Sequence, residues 1–219
     1  NPFKATVALQ GFGNVGSWAA LLLKERGCKV VAISDVSGGY YNSKGIDVGK
    51  AIQYRNENNG TLDKFSGGDK ISNEELLSLK VDVLIPAALE NAITDKNADD
   101  IKAKVIVEGA NGPTSHEADE ILEKNKIIAV PDILANAGGV IVSYFEWVQN
   151  RLGFKWTKNR VYRRSDSIIK QSFNNVYSIA KKYKVSLRTA AYIAAIDKVS
   201  RTYKYRDGSF TFQKNGENS

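Results

Sequence analysis

The 219-residue chain contains no methionine, one cysteine and one histidine, and each scarcity closes off a class of chemistry. A single thiol, Cys28, excludes any disulfide within the chain, and its place at the head of an apolar run reads as a core thiol, not a nucleophile. Nowhere do apolar residues approach the roughly 18 in succession that a membrane-spanning helix needs, so no membrane partner is expected. The start has no basic, apolar, small-residue leader, and with one cysteine this points to the cytoplasm. His116 reads as a surface residue in the first turn of a helix, and no metal site is expected. A chain that opens on Asn1 and lacks methionine reads as a piece of a longer polypeptide.

Charge is scarce in one sense only: the two ends carry opposite signs. Residues 1–150 hold 15 Lys and Arg against 20 Asp and Glu, whereas residues 151–219 hold 16 against 4. A basic segment suits nucleic acid, an acidic partner domain or a solvated helix face. The third reading is preferred, because the charges are spread through amphipathic helices without a nucleic-acid motif.

What is present is concentrated in residues 4–35. An apolar strand runs into GFGNVG (Gly11 to Gly16), then an amphipathic helix, then a strand ending in Asp35. Gly11 permits the tight turn, Gly13 lets backbone approach a pyrophosphate, and Gly16 lets the helix pack on the sheet. Val15, Ala19, Leu22 and Leu23 are expected to share the buried helix face, with Gly27 as the stop. The helix N-terminus would face the phosphates. Asp35 lies nineteen residues after Gly16, where a carboxylate accepts from ribose hydroxyls. The same carboxylate would repel a 2′-phosphate, which favours NAD over NADP, with Ser37 and Lys44 as compensating groups if NADP is used.

Further apolar runs at Val81 to Ile85, Val105 to Val107 and Ile127 to Val130 predict a mostly parallel, doubly wound α/β sheet of Rossmann-like type. Residues 38–72 read as an excursion from the sheet with a helix near 45–58. Thr114 and Glu117 suggest a capping box for a helix through Lys124. Helices are predicted over 137–151, 160–183 and 186–205. The division is therefore a dinucleotide-binding domain over 1–150, a helical extension over 151–205 and a frayed tail over 206–219.

Three strand ends are rich in small and amide residues: PAALEN (Pro86 to Asn91), EGANGPT (Glu108 to Thr114) and PDILANAGG (Pro131 to Gly139). Asn91, Asn111 and Asn136 can donate and accept, as a carboxamide and its ribose require. After Asn136, the residues Gly139, Ser143, Glu146 and Asn150 form a polar stripe beside an apolar face of Val140, Tyr144, Trp147 and Val148. Ser143 is the hydroxyl expected to meet a substrate carboxylate.

In QGFGNVG, PAALENAIT, EGANGPT and DILANAGGVIVSYFEWVQN (Asp132 to Asn150), the chain resembles the nucleotide-binding domain of glutamate dehydrogenase. That enzyme lies within the wider family acting on glutamate, leucine, phenylalanine and valine. The similarity continues through LRTAAYIAAIDKV (Leu187 to Val199), and YFEWVQN favours the glutamate branch. The resemblance implies a Rossmann-like fold, commonly with one strand reversed. It also implies that Gly11, Phe12, Gly13, Asn14, Val15 and Gly16 hold the pyrophosphate, Asp35 the adenosine ribose, and Ala87 with Ala88 the cofactor backbone. Asn111 and Asn136 would contact the nicotinamide end, and Gln10, Val36, Ser37, Asn91 and Gly109 complete the implied cofactor contacts. Ser143 would meet the side-chain carboxylate of glutamate.

The implied reaction is reversible oxidative deamination of L-glutamate to 2-oxoglutarate and ammonia. In the family the low-pKa lysine, its aspartate and the carboxylate-binding lysines lie on a preceding N-terminal domain. The chain is thus expected to bind cofactor without turnover, to pack its terminal helices toward that domain, and to assemble as a homo-oligomer, a hexamer at full length. One departure is visible: where the family often has acidic residues after W(T/S), Trp156 and Thr157 lead into Lys158, Arg160, Arg163 and Arg164. A nucleotide-sensing module without catalysis and a basic nucleic-acid-binding protein are the alternatives.

Overall fold

A computed structural model describes residues 3–206; the expected tail, but for Arg206, lies outside them. The first strand, β1 (Thr6–Gln10), is buried on both faces, with Val7, Ala8 and Leu9 fully enclosed. It turns through the glycines into α1 (Asn14–Glu25), which ends at Gly27 in the left-handed region at φ 84°. There the chain enters β2 (Lys29–Asp35), parallel to β1. The face that α1 buries is the expected one in part: Ala19 and Leu23 are half-buried against the core. Gly16, Ser17 and Ala20 are buried, whereas Val15 and Leu22 stand outward beside Trp18. Small residues let the helix lie close to the sheet, with Leu21 and Leu23 packed at the flanks and Val15, Trp18 and Leu22 on the open side.

Residues 38–72 do more than leave the sheet. A two-residue connection, Val36 and Ser37, reverses the chain into β3 (Gly38–Tyr41), which pairs antiparallel with β2. So short a link permits only an antiparallel neighbour. After α2 (Val48–Glu57), capped by Asp47, β4 (Asp69–Ile71) pairs antiparallel with β3. These strands escape a hydrophobic-run reading because they are short, rich in Gly and Tyr, or polar. Then come α3 (Asn73–Leu77), closed by a Ser72–Glu75 capping box, β5 (Val83–Pro86), a short 3₁₀ turn at Ala98–Asp100, and β6 (Val105–Val107).

The next helix, α4 (His116–Lys124), is capped by Ser115, which accepts from the Ala118 amide. The expected Thr114 cap is displaced by one residue because Thr114 belongs to a parallel bridge with Ile93. The remaining elements are β7 (Ile128–Val130), α5 (Asp132–Ala135), α6 (Gly138–Leu152), α7 (Lys158–Tyr183) and α8 (Leu187–Arg206).

The seven strands run in the order β4-β3-β2-β1-β5-β6-β7, and β3 alone is reversed. Alternation along β1 sends Val7 and Leu9 into one apolar layer and Ala8 into the other, so helices cover both faces. A third, smaller cluster of Leu134, Val176, Ala190 and Ala191 fastens α7 and α8 beside α5 and β7. The opposite side of that hairpin leaves Ile196, Val199 and Tyr203 exposed. No helix among the described residues is long and apolar enough to cross a membrane.

Candidate functional site

From β1 the chain moves to β2 on one side and later to β5 on the other, so the carboxyl ends of β1 and β5 form the switch point of the sheet. The Gly-rich turn sits there. Gly11 has φ +94°, and a Cβ on it would stand 2.7 Å from the Ala87 carbonyl oxygen and 2.8 Å from the Ala88 nitrogen. Gly16 faces the turn itself: its Cβ would meet the Gly11 carbonyl at 1.8 Å. Gly13 differs, with nothing within 4 Å and an ordinary φ of −74°. Its missing side chain leaves open space above the turn.

The first intrahelical donor is Ser17, bonded to the Gly13 carbonyl at 3.0 Å. The preceding amides of Asn14, Val15 and Gly16 lack intrahelical acceptors, and no acidic side chain occupies the first turn. Phe12 anchors the loop in the core. Gln10 continues the sheet by accepting the Ala87 amide at 2.7 Å, while its Oε1 is buried and unpartnered. A cradle of open backbone at a helix N-terminus fits a dinucleotide pyrophosphate.

Asp35 ends β2 beside this turn. Its Oδ1 accepts from the Ser37 amide at 2.7 Å and hydroxyl at 2.5 Å, and its Oδ2 from the Leu62 amide at 2.5 Å. The carboxylate therefore staples the β2–β3 turn to the segment after α2, with one lone-pair site on Oδ2 remaining for a further donor. Val36, at 92% exposed, projects from the same turn. Lys44 does not join it. The β2–β3 register pairs Asp35 with Gly38 and Ala32 with Tyr41, carrying Lys44 toward Lys29, whose Nζ donates to the Ser43 carbonyl at 3.0 Å. Six residues of strand, roughly 20 Å, separate that end from Asp35.

At the ends of β5 and β6 the loops interlock. The amides of Gly109 and Ala110 both donate to the Pro86 carbonyl at 2.9 Å, and a Cβ on Gly109 would lie 3.0 Å from that of Ala87. The Asn136 amide group donates to Asn111 Oδ1 at 2.7 Å and to the Ala110 carbonyl at 3.2 Å. The structure thus brings Asn111 and Asn136 together. Asn91 enters differently, as a left-handed turn residue at φ 52° whose backbone amide donates to the Gly112 carbonyl at 2.8 Å.

Ser143 lies two turns into α6 and is exposed, in line with Gly139, Glu146 and Asn150. The neighbouring apolar face is exposed as well: Val140, Tyr144 and Trp147 point outward, the last two stacked at 6.0 Å, and Phe145 makes the buried contact. Phe145 packs on Trp156 at 5.4 Å, and the Arg160 and Arg164 guanidinium groups lie over the Trp156 ring at 4.4 and 4.8 Å. Two of the cations that depart from the family pattern therefore have a local partner.

Several residues that organise the site were not anticipated from sequence. Arg55 of α2 donates from Nη1 to the Phe12 carbonyl at 2.8 Å and to Ser17 Oγ at 3.2 Å, bracing the Gly-rich turn. Glu108 is fully buried and joined to Arg188 of α8. The available signal was a carboxylate directly after the apolar VIV of β6, and a single cation within the otherwise uncharged segment 187–196. A groove of about 690 Å³ lies away from the strand ends, between α4, β7 and the α7–α8 hairpin. Strand-end geometry, more than that concavity, defines the candidate site. Among the described residues no group of three or more His, Cys, Asp or Glu is arranged to hold a metal ion.

Comparison with known proteins gives the family and the fold. The family model for glutamate/leucine/phenylalanine/valine dehydrogenase matches residues 2–207. A glutamate dehydrogenase of Thermotoga maritima is 56% identical over 207 residues, covering 94% of this chain and 50% of the relative. The cryptic catabolic NAD-specific glutamate dehydrogenase GudB of Bacillus subtilis is 46% identical over 202 residues, covering 92% and 47%. Among solved structures, the hetero-hexameric glutamate dehydrogenase of Thermus thermophilus in its Leu-bound form matches with a TM-score of 0.87 at 30% identity, covering 94% of this chain and 48% of that one. That of Peptoniphilus asaccharolyticus matches with a TM-score of 0.77 at 38% identity, covering 92% and 47%. This chain spans about half the length of the curated relatives it matches. On the match of nearly its whole length, the chain belongs to the glutamate/leucine/phenylalanine/valine dehydrogenase family.

Proposed function

We propose that the chain is the cofactor-binding half of an NAD-dependent glutamate dehydrogenase, which interconverts L-glutamate with 2-oxoglutarate and ammonia. The observation that supports the cofactor role is the open Gly13 backbone at the switch point, flanked by Asp35 on one side and the Asn111–Asn136 pair on the other. A bound nicotinamide supplies the hydride acceptor. The amides at the start of α1 bind the pyrophosphate, and the remaining acceptor site on Asp35 Oδ2 accepts from an adenosine ribose hydroxyl. Asn111 and Asn136 orient the carboxamide, and Ser143 donates to the side-chain carboxylate of glutamate without adding charge. NAD is favoured by the Asp35 carboxylate, and the Bacillus relative is named NAD-specific.

The base and the carboxylate-binding cations belong on a preceding domain of the same polypeptide. The exposed apolar faces of α6 and the α7–α8 hairpin are the surfaces we assign to its packing. A full-length hexamer fits the hetero-hexameric Thermus neighbour, and the compartment proposed is the cytoplasm. Calorimetric titration of the chain with NAD and NADP, followed by an assay with glutamate and NAD, tests the reading. Tighter NAD binding without turnover is expected. Tighter NADP binding would overturn the cofactor choice, and ordinary turnover would overturn the division of labour.

A further inference from the structure

Glu108 is fully buried at the carboxyl end of β6, and a buried carboxylate needs a counter-charge and donors for its lone pairs. The counter-charge comes from the second residue of α8. Arg188 Nη2 donates to Glu108 Oε1 at 2.5 Å and Nη1 to Oε2 at 3.1 Å. The same guanidinium donates to both oxygens of Asp119 and lies 3.7 Å from Asp132 Oδ1. Burial pulls the Arg188 pKa down, but the hydrogen bonds it donates to Glu108 and Asp119 outweigh it and hold the group above its ordinary value, permanently charged.

The network continues into the site. Glu108 Oε2 also accepts the Asp132 backbone amide at 2.8 Å, and Asp132 Oδ2 accepts the Gly112 amide at 2.8 Å. Gly112 follows Asn111, and Asp132 begins the short α5 whose C-cap is Asn136. One cation therefore fixes both segments that carry the asparagine pair. Fastening α8 alone would not require a charge, since Ala190, Ala191, Leu134 and Val176 already do so with apolar contacts, and a buried ion pair is seldom the more stable choice.

We infer that Arg188 is a positioning residue for the nicotinamide end of the cofactor, setting the Asn111–Asn136 pair through Glu108 and Asp132. This rests on the cofactor reading above. It predicts separate behaviour for the two ends of the dinucleotide, because the adenosine and pyrophosphate contacts of β1, α1 and β2 lie outside the network.

The test uses NADH and ADP-ribose on the chain and on two variants, Arg188→Lys and Asp132→Ala. Lysine keeps the charge but cannot fork across two carboxylates, and Asp132→Ala leaves the buried Arg188–Glu108 pair in place should the first variant fail to fold. The wild-type chain is expected to enhance and blue-shift NADH emission. Each folded variant should bind ADP-ribose within about threefold of wild type while NADH emission at saturation falls toward that of free NADH. Wild-type emission in the variants would overturn the inference, as would parallel loss of ADP-ribose and NADH, which signals a merely structural role. A wild-type chain that binds ADP-ribose without altering NADH emission would also overturn it. Binding of neither molecule by the wild-type chain would instead defeat the cofactor reading.

Discussion

A Cβ on Gly16 would stand 1.8 Å from the Gly11 carbonyl oxygen, whereas one on Gly13 would meet nothing within 4 Å. Two glycines of one fingerprint thus differ: the fold itself demands the first, whereas the second leaves the open backbone that the proposed cofactor role calls for. Gly16→Ala forces backbone against backbone and should cost more than about 2 kcal/mol in denaturant unfolding. Gly13→Ala should change stability by under about 1 kcal/mol yet weaken dinucleotide binding about tenfold or more, because its methyl enters the space left for pyrophosphate. Unfolding curves beside NAD titrations of the two variants check the contrast.

Arg55 is the brace behind that turn. Its hydrogen bond to the Phe12 carbonyl holds the outer strand of the loop, and its Nε is buried without a partner, so the guanidinium is kept there despite incomplete satisfaction. Arg55→Met preserves the stem and removes the donors. Dinucleotide affinity should fall about three- to tenfold with the melting temperature reduced by only a few degrees. An unchanged dissociation constant would show that the turn holds its shape unaided.

The position of Lys44 bears on cofactor choice. With that cation at the far end of β2 and the Ser37 hydroxyl donated to Asp35, neither group expected to offset the carboxylate is free to do so. Lys70 is the cation beside the turn, its Cε 3.7 Å from a Cβ position on Gly38. Asp35→Ser should therefore raise the NADP-to-NAD affinity ratio by about tenfold or more, and adding Lys70→Ala should reverse part of the gain. Competitive titration of the two dinucleotides measures both steps.

Acid sensitivity should concentrate at the opposite end of the central strands, where β1 and β5 begin. Asp82 accepts from Lys104 Nζ at 2.7 Å and from the Thr6 amide and hydroxyl at 2.8 and 2.9 Å, tying β1 to the segment entering β5. The Lys104 bond first, then the Thr6 bonds, hold the folded carboxyl at about 2, against an ordinary value of 3.8. The folded pKa is depressed, so the contribution is full above the ordinary value and is lost as pH falls from about 4 through about 2. Asp82→Asn should lower the melting temperature by a few degrees at pH 7, with the difference shrinking as pH falls from about 4 and vanishing only below about 2; a constant difference across that range would contradict the assignment.

Much of this architecture was legible because it rests on local chemistry. The β1–α1–β2 unit announces itself through Gly11, Gly13, Gly16 and Asp35 within a short span, and β6 and β7 through β-branched runs. Strands β3 and β4 were not, since Tyr40 and Tyr41 among glycines carry little period-two signal and the pairing is dictated by the two-residue turn at Val36 and Ser37. The outward placement of Val15 and Leu22 was hidden because helical spacing alone cannot say which apolar stripe faces the sheet when a rival stripe of Gly16, Ser17 and Ala20 packs closer. Glu108 and Arg188 lie 80 residues apart; only the fold supplies their contact.

Ala190 offers a last test of how that contact is kept. It is fully buried two residues after Arg188, in the cluster that holds α7 and α8 beside β7. A methyl there lets α8 approach closely enough for the guanidinium to reach Glu108. Ala190→Leu overpacks the cluster and should destabilise the chain by about 1–3 kcal/mol. The displaced helix should also draw Arg188 from Glu108, so hydrogen exchange at the Asp132 and Gly112 amides, which both end on this network, should quicken more than at β1. Uniform acceleration would mean that the cost is global and that α8 keeps its register; selective loss at those two amides ties the helix seat to the strand-end loops.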